Sequence, residues 1–298
     1  LTRSPRSQAE APPARFRLLL AAALFSTGGV AIKGCGLSPW QVSAFRSGIG
    51  ALTLLALAPE SRRGWTLRTL VVGLAYAGTV TLFALANRMT TSANAIFLQS
   101  TAPLYLLLLG PWLLREPLHR RDLAFLGALA VGMAFFFVGV EPASRTAPDP
   151  GLGNALAAGS GLCWALTILG LRWLGRDGSG GAGATVVGNL LGCALALPFA
   201  LPLGASTPTD WALVTFLGVV QIGVSYVLVT RATRHVPALE ATLLLLLEPV
   251  LNPIWSWLVH GERPGPWSLL GGAIILVATF ARARGSGRAD VPNPPLAP

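Results

Sequence analysis

The chain contains twelve acidic residues, and eleven of them fall in tails, loops or the ends of apolar runs. Glu248 alone lies deep, about ten residues into its run, or roughly 15 Å at 1.5 Å per helical residue. That is the midplane of a hydrocarbon core about 30 Å thick. A carboxyl there costs roughly 2.5–3.5 kcal/mol even on the lenient insertion scale, so it must face a cavity, find a partner or stay protonated. The only deep base is Arg46, about six residues or 9 Å into its own run, with a side chain long enough to close the difference in depth. Two readings follow. Glu248 faces a substrate cavity, where it binds an amine or carries a coupling proton, or Arg46 and Glu248 form a buried ion pair that fixes helix packing.

The neighbours of Glu248 point to a cavity. Glu248, Asn252 and Trp255 stand at i, i+4 and i+7, one face of a helix. Pro249 and Pro253 free backbone carbonyls that need a neighbour or water. Tyr76, with Thr79 and Phe83, shares a face of another run, and Gln99, Trp164 and Gln221 lie at mid-depth in three more. Apolar walls with a few convergent polar groups describe a small-molecule pocket.

Enzyme signatures are missing. The chain has no phosphate loop of the GxxxxGK[ST] type, no HExxH and no GxSxG. A GxGxxG occurs at Gly178–Gly183, but it follows a predicted helix instead of a strand and reads as a flexible connection. Cys35, Cys163 and Cys193 are scattered in or beside apolar runs with no metal-ligand spacing, so neither a metal nor another cofactor is expected. Of the 22 basic residues only Lys33 is a lysine, an arginine bias that reads as codon composition.

The elements that must carry these residues follow from composition. Charged residues make up 11% of the chain, against about 25% in soluble domains, and the mean hydropathy is +0.61. The solvent for most of the chain is therefore the lipid bilayer, and the net charge of +10 is no sign of a nucleic-acid partner. A helix needs about 20 apolar residues to span the hydrocarbon core. Ten such runs occur, at about 17–34, 40–58, 68–87, 92–114, 121–140, 152–172, 183–203, 210–230, 238–259 and 266–283. Most are separated by breakers such as Ser38-Pro39 and Thr207-Pro208. Backbone groups in lipid must be satisfied within the segment, so the runs are helices, and the fold class is an all-α integral membrane protein. The run after Arg17 is long enough to cross and reads as an uncleaved span.

With ten spans both termini share one side of the membrane. Seventeen basic residues lie on that side and four (Lys33, Arg88, Arg145, Arg263) on the other, so both termini are expected to be cytoplasmic.

The chain also repeats itself. Ala95, Pro103 and Glu116 recur as Ala241, Pro249 and Glu262 at an offset of 146, and Gly73, Gly78 and Ala93 recur as Gly218, Gly223 and Ala238 at 145. Five spans per repeat is an odd number, so the second copy is inverted, an architecture of secondary transporters. Glu116 and Glu262 end equivalent spans at opposite faces and are candidates for locking helix ends against a neighbouring Arg during gating.

With Pro103 through Arg115-Glu116-Pro117, Leu247-Glu248-Pro249 through Gly261-Glu262, and Ser38-Pro39 followed by Arg46, the chain resembles the EamA domains of the drug/metabolite transporter superfamily. The resemblance covers roughly residues 17–283. It divides the chain into a cytoplasmic tail (1–16), a first repeat (17–140), a connecting loop (141–151), a second repeat (152–283) and a second tail (284–298). It implies a bacterial inner-membrane carrier that exports amino acids or other small or drug-like metabolites by alternating access about a midplane site. The energy would come from a proton or from the substrate gradient. Two alternatives stand beside it: a non-transporting membrane scaffold or receptor with a packed interior, and a lipid-modifying membrane enzyme with acids, histidines or serines clustered at one face.

Overall fold

The computed structural model describes residues 11–113, 120–176, 181–233 and 235–289. Each of the ten predicted spans is helical. They are α1 (Ala11–Ser26 and Gly28–Gly34), α2 (Pro39–Leu57), α3 (Leu67–Met89), α4 (Ser92–Gln99 and Ala102–Leu113) and α5 (Arg120–Val138). The second set is α6 (Pro150–Arg176), α7 (Ala182–Ala200), α8 (Pro208–Ala232), α9 (Ala238–Leu245 and Leu247–His260) and α10 (Pro266–Ala289). Eight are long and apolar enough to cross a bilayer; α2, which carries Arg46, and α5, whose apolar part is Asp122–Val138, complete the ten. Large apolar side chains such as Trp112, Val138, Phe199 and Val277 point outward, as a lipid-facing perimeter requires.

The breakers act as helix starts. Ser38 caps α2, accepting from the Gln41 N–H while the Gln41 side chain accepts from Ser38 N–H, with Pro39 in the first turn. Thr207, Pro208 and Asp210 repeat the arrangement at α8. Such reciprocal caps satisfy donors that a helix end otherwise leaves unpaired.

Helix packing carries the duplication. α3 packs on α6 as α8 packs on α1, α3 on α7 as α8 on α2, and α4 on α6 as α9 on α1. The remaining major pairs, α2 with α7 and α5 with α10, are their own counterparts and lie about the pseudo-two-fold axis. The chain is thus two inverted five-helix repeats. The repeated glycines show why the offset persists. A Cβ on Gly73 would sit 3.1 Å from the Gly188 nitrogen on α7, and one on Gly218 would sit 2.9 Å from the Arg46 carbonyl on α2. Equivalent pairs therefore close backbone to backbone at equivalent glycines, the packing device that membrane helices use where apolar burial supplies no net drive.

The helix breaks repeat too. α4 is interrupted at Ser100-Thr101 and α9 at Leu246; the offset of 146 maps Ser100 onto Leu246. In each case a proline, Pro103 or Pro249, follows three residues later. A proline has no N–H for the carbonyl four residues back and its ring crowds that carbonyl, so the break falls one turn before it. Pro253 sits inside the second segment of α9 without a further break.

Candidate functional site

A cavity of about 200 Å³ opens at the level of the two proline breaks. Its polar lining is Arg46 from α2, Tyr76 and Thr79 from α3, Gln99 from α4, Gln221 and Tyr226 from α8, and Glu248 from α9. Phe25, Val80, Phe83, Trp164, Ile222, Val229 and Leu245 supply the apolar wall. Both repeats contribute, and α5, α7 and α10 do not.

The lining reaches Val229, within a turn of the end of α8 on the face that holds the chain termini. On the opposite face no lining residue lies closer than six residues to a helix end, about 9 Å. The cavity therefore leans toward the termini face.

Arg46 is 2% exposed. Its Nη2 donates to the Val80 carbonyl at 3.1 Å, while Nε and Nη1 have no partner in the protein. Glu248 lines the same cavity, and no ion pair joins it to Arg46. The ion-pair reading is therefore corrected: the two charged groups share one space without closing on each other. Buried donors without partners are rare and call for an explanation, and a guanidinium with unpaired N–H groups beside a cavity is a ready donor to a planar anion.

The other polar groups are arranged with similar economy. Gln99 donates to Ser160 Oγ at 2.8 Å, and Ser160 donates to the Thr79 carbonyl at 2.9 Å. This relay fixes the amide where α4 breaks. Tyr76 and Tyr226 meet edge to face at 5.7 Å, and Phe25 meets Tyr226 at 5.3 Å, a preferred geometry for aromatic pairs. Gln221 Oε1 has no partner in the protein.

Of the substrate-site expectations, Tyr76, Gln99, Trp164, Gln221 and Glu248 come together on the cavity. Asn252 and Trp255 do not. Asn252 is fully buried near Gly29 and Ser92, since a Cβ on Gly29 would lie 2.6 Å from Asn252 Oδ1 and 2.8 Å from Ser92 Oγ. Trp255 Nε1 donates to Ser26 Oγ at 2.9 Å. All three residues of α9 face inward, but the helix climbs about 10 Å from Glu248 to Trp255, and over that rise the same face passes from the cavity to α1 and α4.

Tyr226 escaped the sequence reading for a local reason. α8 contains a π segment, Leu217–Val224, and the Ser225 hydroxyl donates to the carbonyl five residues back. Wider turns of this kind recur at functional sites. Here they bring Tyr226, five residues past Gln221, onto the cavity, where a 3.6-residue count places residue 224 or 225.

The face opposite the termini is closed by a different group of charges. Lys33 and Glu262 form an ion pair at 2.7 Å, each side chain 3% exposed. Lys33 also donates to the carbonyls of Thr90 at 2.8 Å and Thr146 at 2.5 Å. Glu262 accepts from the Ser92 N–H at 3.0 Å, at the start of α4. Gly261 takes a φ of 68° and ends α9 in a left-handed turn, a conformation glycine adopts without steric cost, and this turns Glu262 inward. The expected arginine partner is thus replaced by Lys33, whose ammonium suits three convergent acceptors. Glu116 lies outside the described residues, as do Gly178 and Gly180 of the glycine-rich connection.

Residues 14–138 and 151–281 each match the EamA-like transporter family. The chain belongs to that family. It is 26% identical over 251 residues to the threonine/homoserine exporter RhtA of Escherichia coli strain K12, covering 80% of each chain. An uncharacterized transporter of Archaeoglobus fulgidus is 29% identical over 265 residues, covering 88% of this chain and 93% of that one. The pseudopaline exporter CntI of Pseudomonas aeruginosa is 33% identical over 79 residues, 26% of this chain and 28% of its own. A protein of solved crystal structure shares the fold with a TM-score of 0.61 and 18% identity, over 94% of this chain and 99% of its own. As an EamA-like transporter the chain is a multi-pass membrane protein. The match of both halves to one family agrees with the duplication seen in the helix pairs.

Proposed function

We propose that this chain is a secondary exporter of small zwitterionic metabolites of the amino-acid class, working by alternating access about the mid-depth cavity. The observation that carries the reading is the pair of unjoined charges on that cavity. Arg46 offers free N–H groups to a carboxylate, and Glu248 on another wall offers a carboxylate to an ammonium or holds a coupling proton. An α-amino acid presents both charges within one small molecule, so one ligand satisfies both walls. The cavity, at about 200 Å³, is below the roughly 300–1,000 Å³ of pockets that enclose drug-sized ligands, which favours a small metabolite over a drug-like compound. Aromatic and amide groups around the charges give the side chain a partly apolar seat. A threonine/homoserine exporter matched over 80% of its length, and a pseudopaline exporter matched over 28% of its own, support the same direction and class.

In this reading the chain lies in a bacterial inner membrane with both termini in the cytoplasm, as the distribution of arginines favours. The cavity then leans toward the cytoplasm, where an exporter loads. Glu262 and its repeat counterpart Glu116 serve as gating contacts at opposite ends. A scaffold needs no mid-depth cavity lined with unpaired charge, so this cavity weighs against that alternative.

The test is substrate counterflow in proteoliposomes with a mixed panel of amino acids, purines and cationic drugs read by mass spectrometry. Exchange confined to amino acids is the expected result, and exchange of drugs alone, or of nothing by folded protein, overturns the proposal. Glu248→Gln separates the two roles of the carboxyl. If it carries the coupling proton, exchange persists while accumulation driven by a pH gradient is lost. If it binds the ammonium, both are lost.

A further inference from the structure

The same transport reading leaves the exit route unassigned. Between the cavity and the opposite face lies a seam in which polar atoms are buried without protein partners: Ser92 Oγ, both side-chain polar atoms of Asn252, and Ser256 Oγ. All three residues are 0% exposed. Asn252 and Ser92 meet at Gly29, and Ser256 stands one turn beyond Asn252 on α9, its carbonyl accepting from Glu262 N–H. A packed interior has no use for such groups, because a buried polar atom without a hydrogen bond costs free energy that an apolar side chain of the same shape does not. A path that fills with water in another state does have a use for them.

The segment covering this seam carries a break. α1 breaks at Thr27, at the level where Phe25 lines the cavity, and resumes as the short piece Gly28–Gly34. Two consecutive glycines follow the break, and Lys33 sits at the far end of the piece. There the Lys33–Glu262 pair and the Thr90 and Thr146 carbonyls tie α1 to α9, to the turn before α4 and to the link between the repeats. Beyond this knot lies a depression of about 470 Å³ whose lining includes Lys33, Arg88, Thr146 and His260. The seam therefore separates two cavities, one at mid-depth and one on the far face, and the latched end of α1 stands between them.

We infer that residues 28–34 of α1 form the outer gate, hinged at Thr27–Gly29 and latched by Lys33 to Glu262, and that the exit path is the seam of Gly29, Ser92, Asn252 and Ser256 behind it. Opening the gate transfers the orphaned polar atoms to water, which offsets part of the loss of the latch. This compensation narrows the free-energy difference between the closed and open states, which alternating access requires to be small.

The test uses the full chain in proteoliposomes, with Cys35, Cys163 and Cys193 replaced by alanine and Asn252→Cys as the reporter. A membrane-impermeant maleimide is supplied from the face opposite the termini. Labelling is slow while the latch is intact, and Glu262→Gln raises its rate about tenfold, the factor that 1.4 kcal/mol makes in an equilibrium. An unchanged rate in folded Glu262→Gln protein overturns the gate. A second arm avoids removing a buried charge from its partner. In the alanine background, Lys33→Cys with Glu262→Cys is bridged by a short bis-thiosulfonate; bridging stops counterflow and reduction restores it. Exchange at the unbridged rate overturns the proposal. The labelling arm needs no substrate, so faster labelling in a protein that exchanges nothing upholds the gate and refutes the transport reading alone.

Discussion

Among the described residues, two sets of opposite charges are treated differently. At the far face Lys33 and Glu262 are paired at 2.7 Å and further hydrogen-bonded to Thr90, Thr146 and Ser92. At mid-depth Arg46 and Glu248 border one cavity, and the guanidinium makes a single bond, to Val80. Charge withdrawn from water is tolerable when its hydrogen-bonding capacity is filled. The far-face pair fills it from within the chain. The mid-depth pair leaves it open, and under the proposed function an open guanidinium and carboxylate on one space serve as a binding site instead of a brace. The residue types follow: three separate acceptors suit an ammonium, whereas a carboxylate ligand suits the planar fork of arginine.

Several measurements can break this contrast. The largest expected effect is on stability at the far face. Lys33→Met leaves Glu262 buried without its counter-ion and should cost about 3–5 kcal/mol, whereas Lys33→Met with Glu262→Met should recover most of that loss. Thermal melts in detergent check both, and equal melting of the single and double variants would show the pair to be no brace. Next in size, Arg46→Gln should reduce substrate exchange roughly 100-fold, since a hydrogen bond to a charged group contributes about 1.5–3 kcal/mol. Its melting temperature should fall much less than that of Lys33→Met; a fall as large would make Arg46 structural.

Smaller effects sharpen the symmetry and the boundary of the site. Gly73→Ala and Gly218→Ala should each cost about 1–3 kcal/mol by overpacking, and by similar amounts, because both seat equivalent helix pairs. A loss confined to one of them would mean that the repeats pack differently at these positions. Trp255→Phe should cost about 1 kcal/mol through its bond to Ser26 and leave apparent substrate affinity unchanged. A changed affinity would return Trp255 to the binding surface.

Ten apolar runs, their breakers and the offsets of 145 and 146 are written in the linear order, and each has a local cause. Lipid demands self-satisfied helices, Ser38 and Thr207 are capping residues followed by proline, and Pro103 and Pro249 disrupt the turn before them. Inward-facing residues were legible as well, because a helix face is a matter of period. Depth and neighbour were not. Asn252 shares the face of Glu248 yet meets Gly29 and Ser92, and Tyr226 reaches the cavity only because α8 widens into a π segment. The part played by Lys33 depends on Glu262, Thr90 and Thr146, which approach it from three different places in the chain.

The sequence by itself thus determined a duplicated ten-helix membrane protein and the residues that could not rest in lipid, since length, period and polarity act within one segment. Only the tertiary structure decided which buried charges are joined and which are left facing a cavity. That outcome depends on how far apart separate helices hold their side chains, a distance no single segment contains.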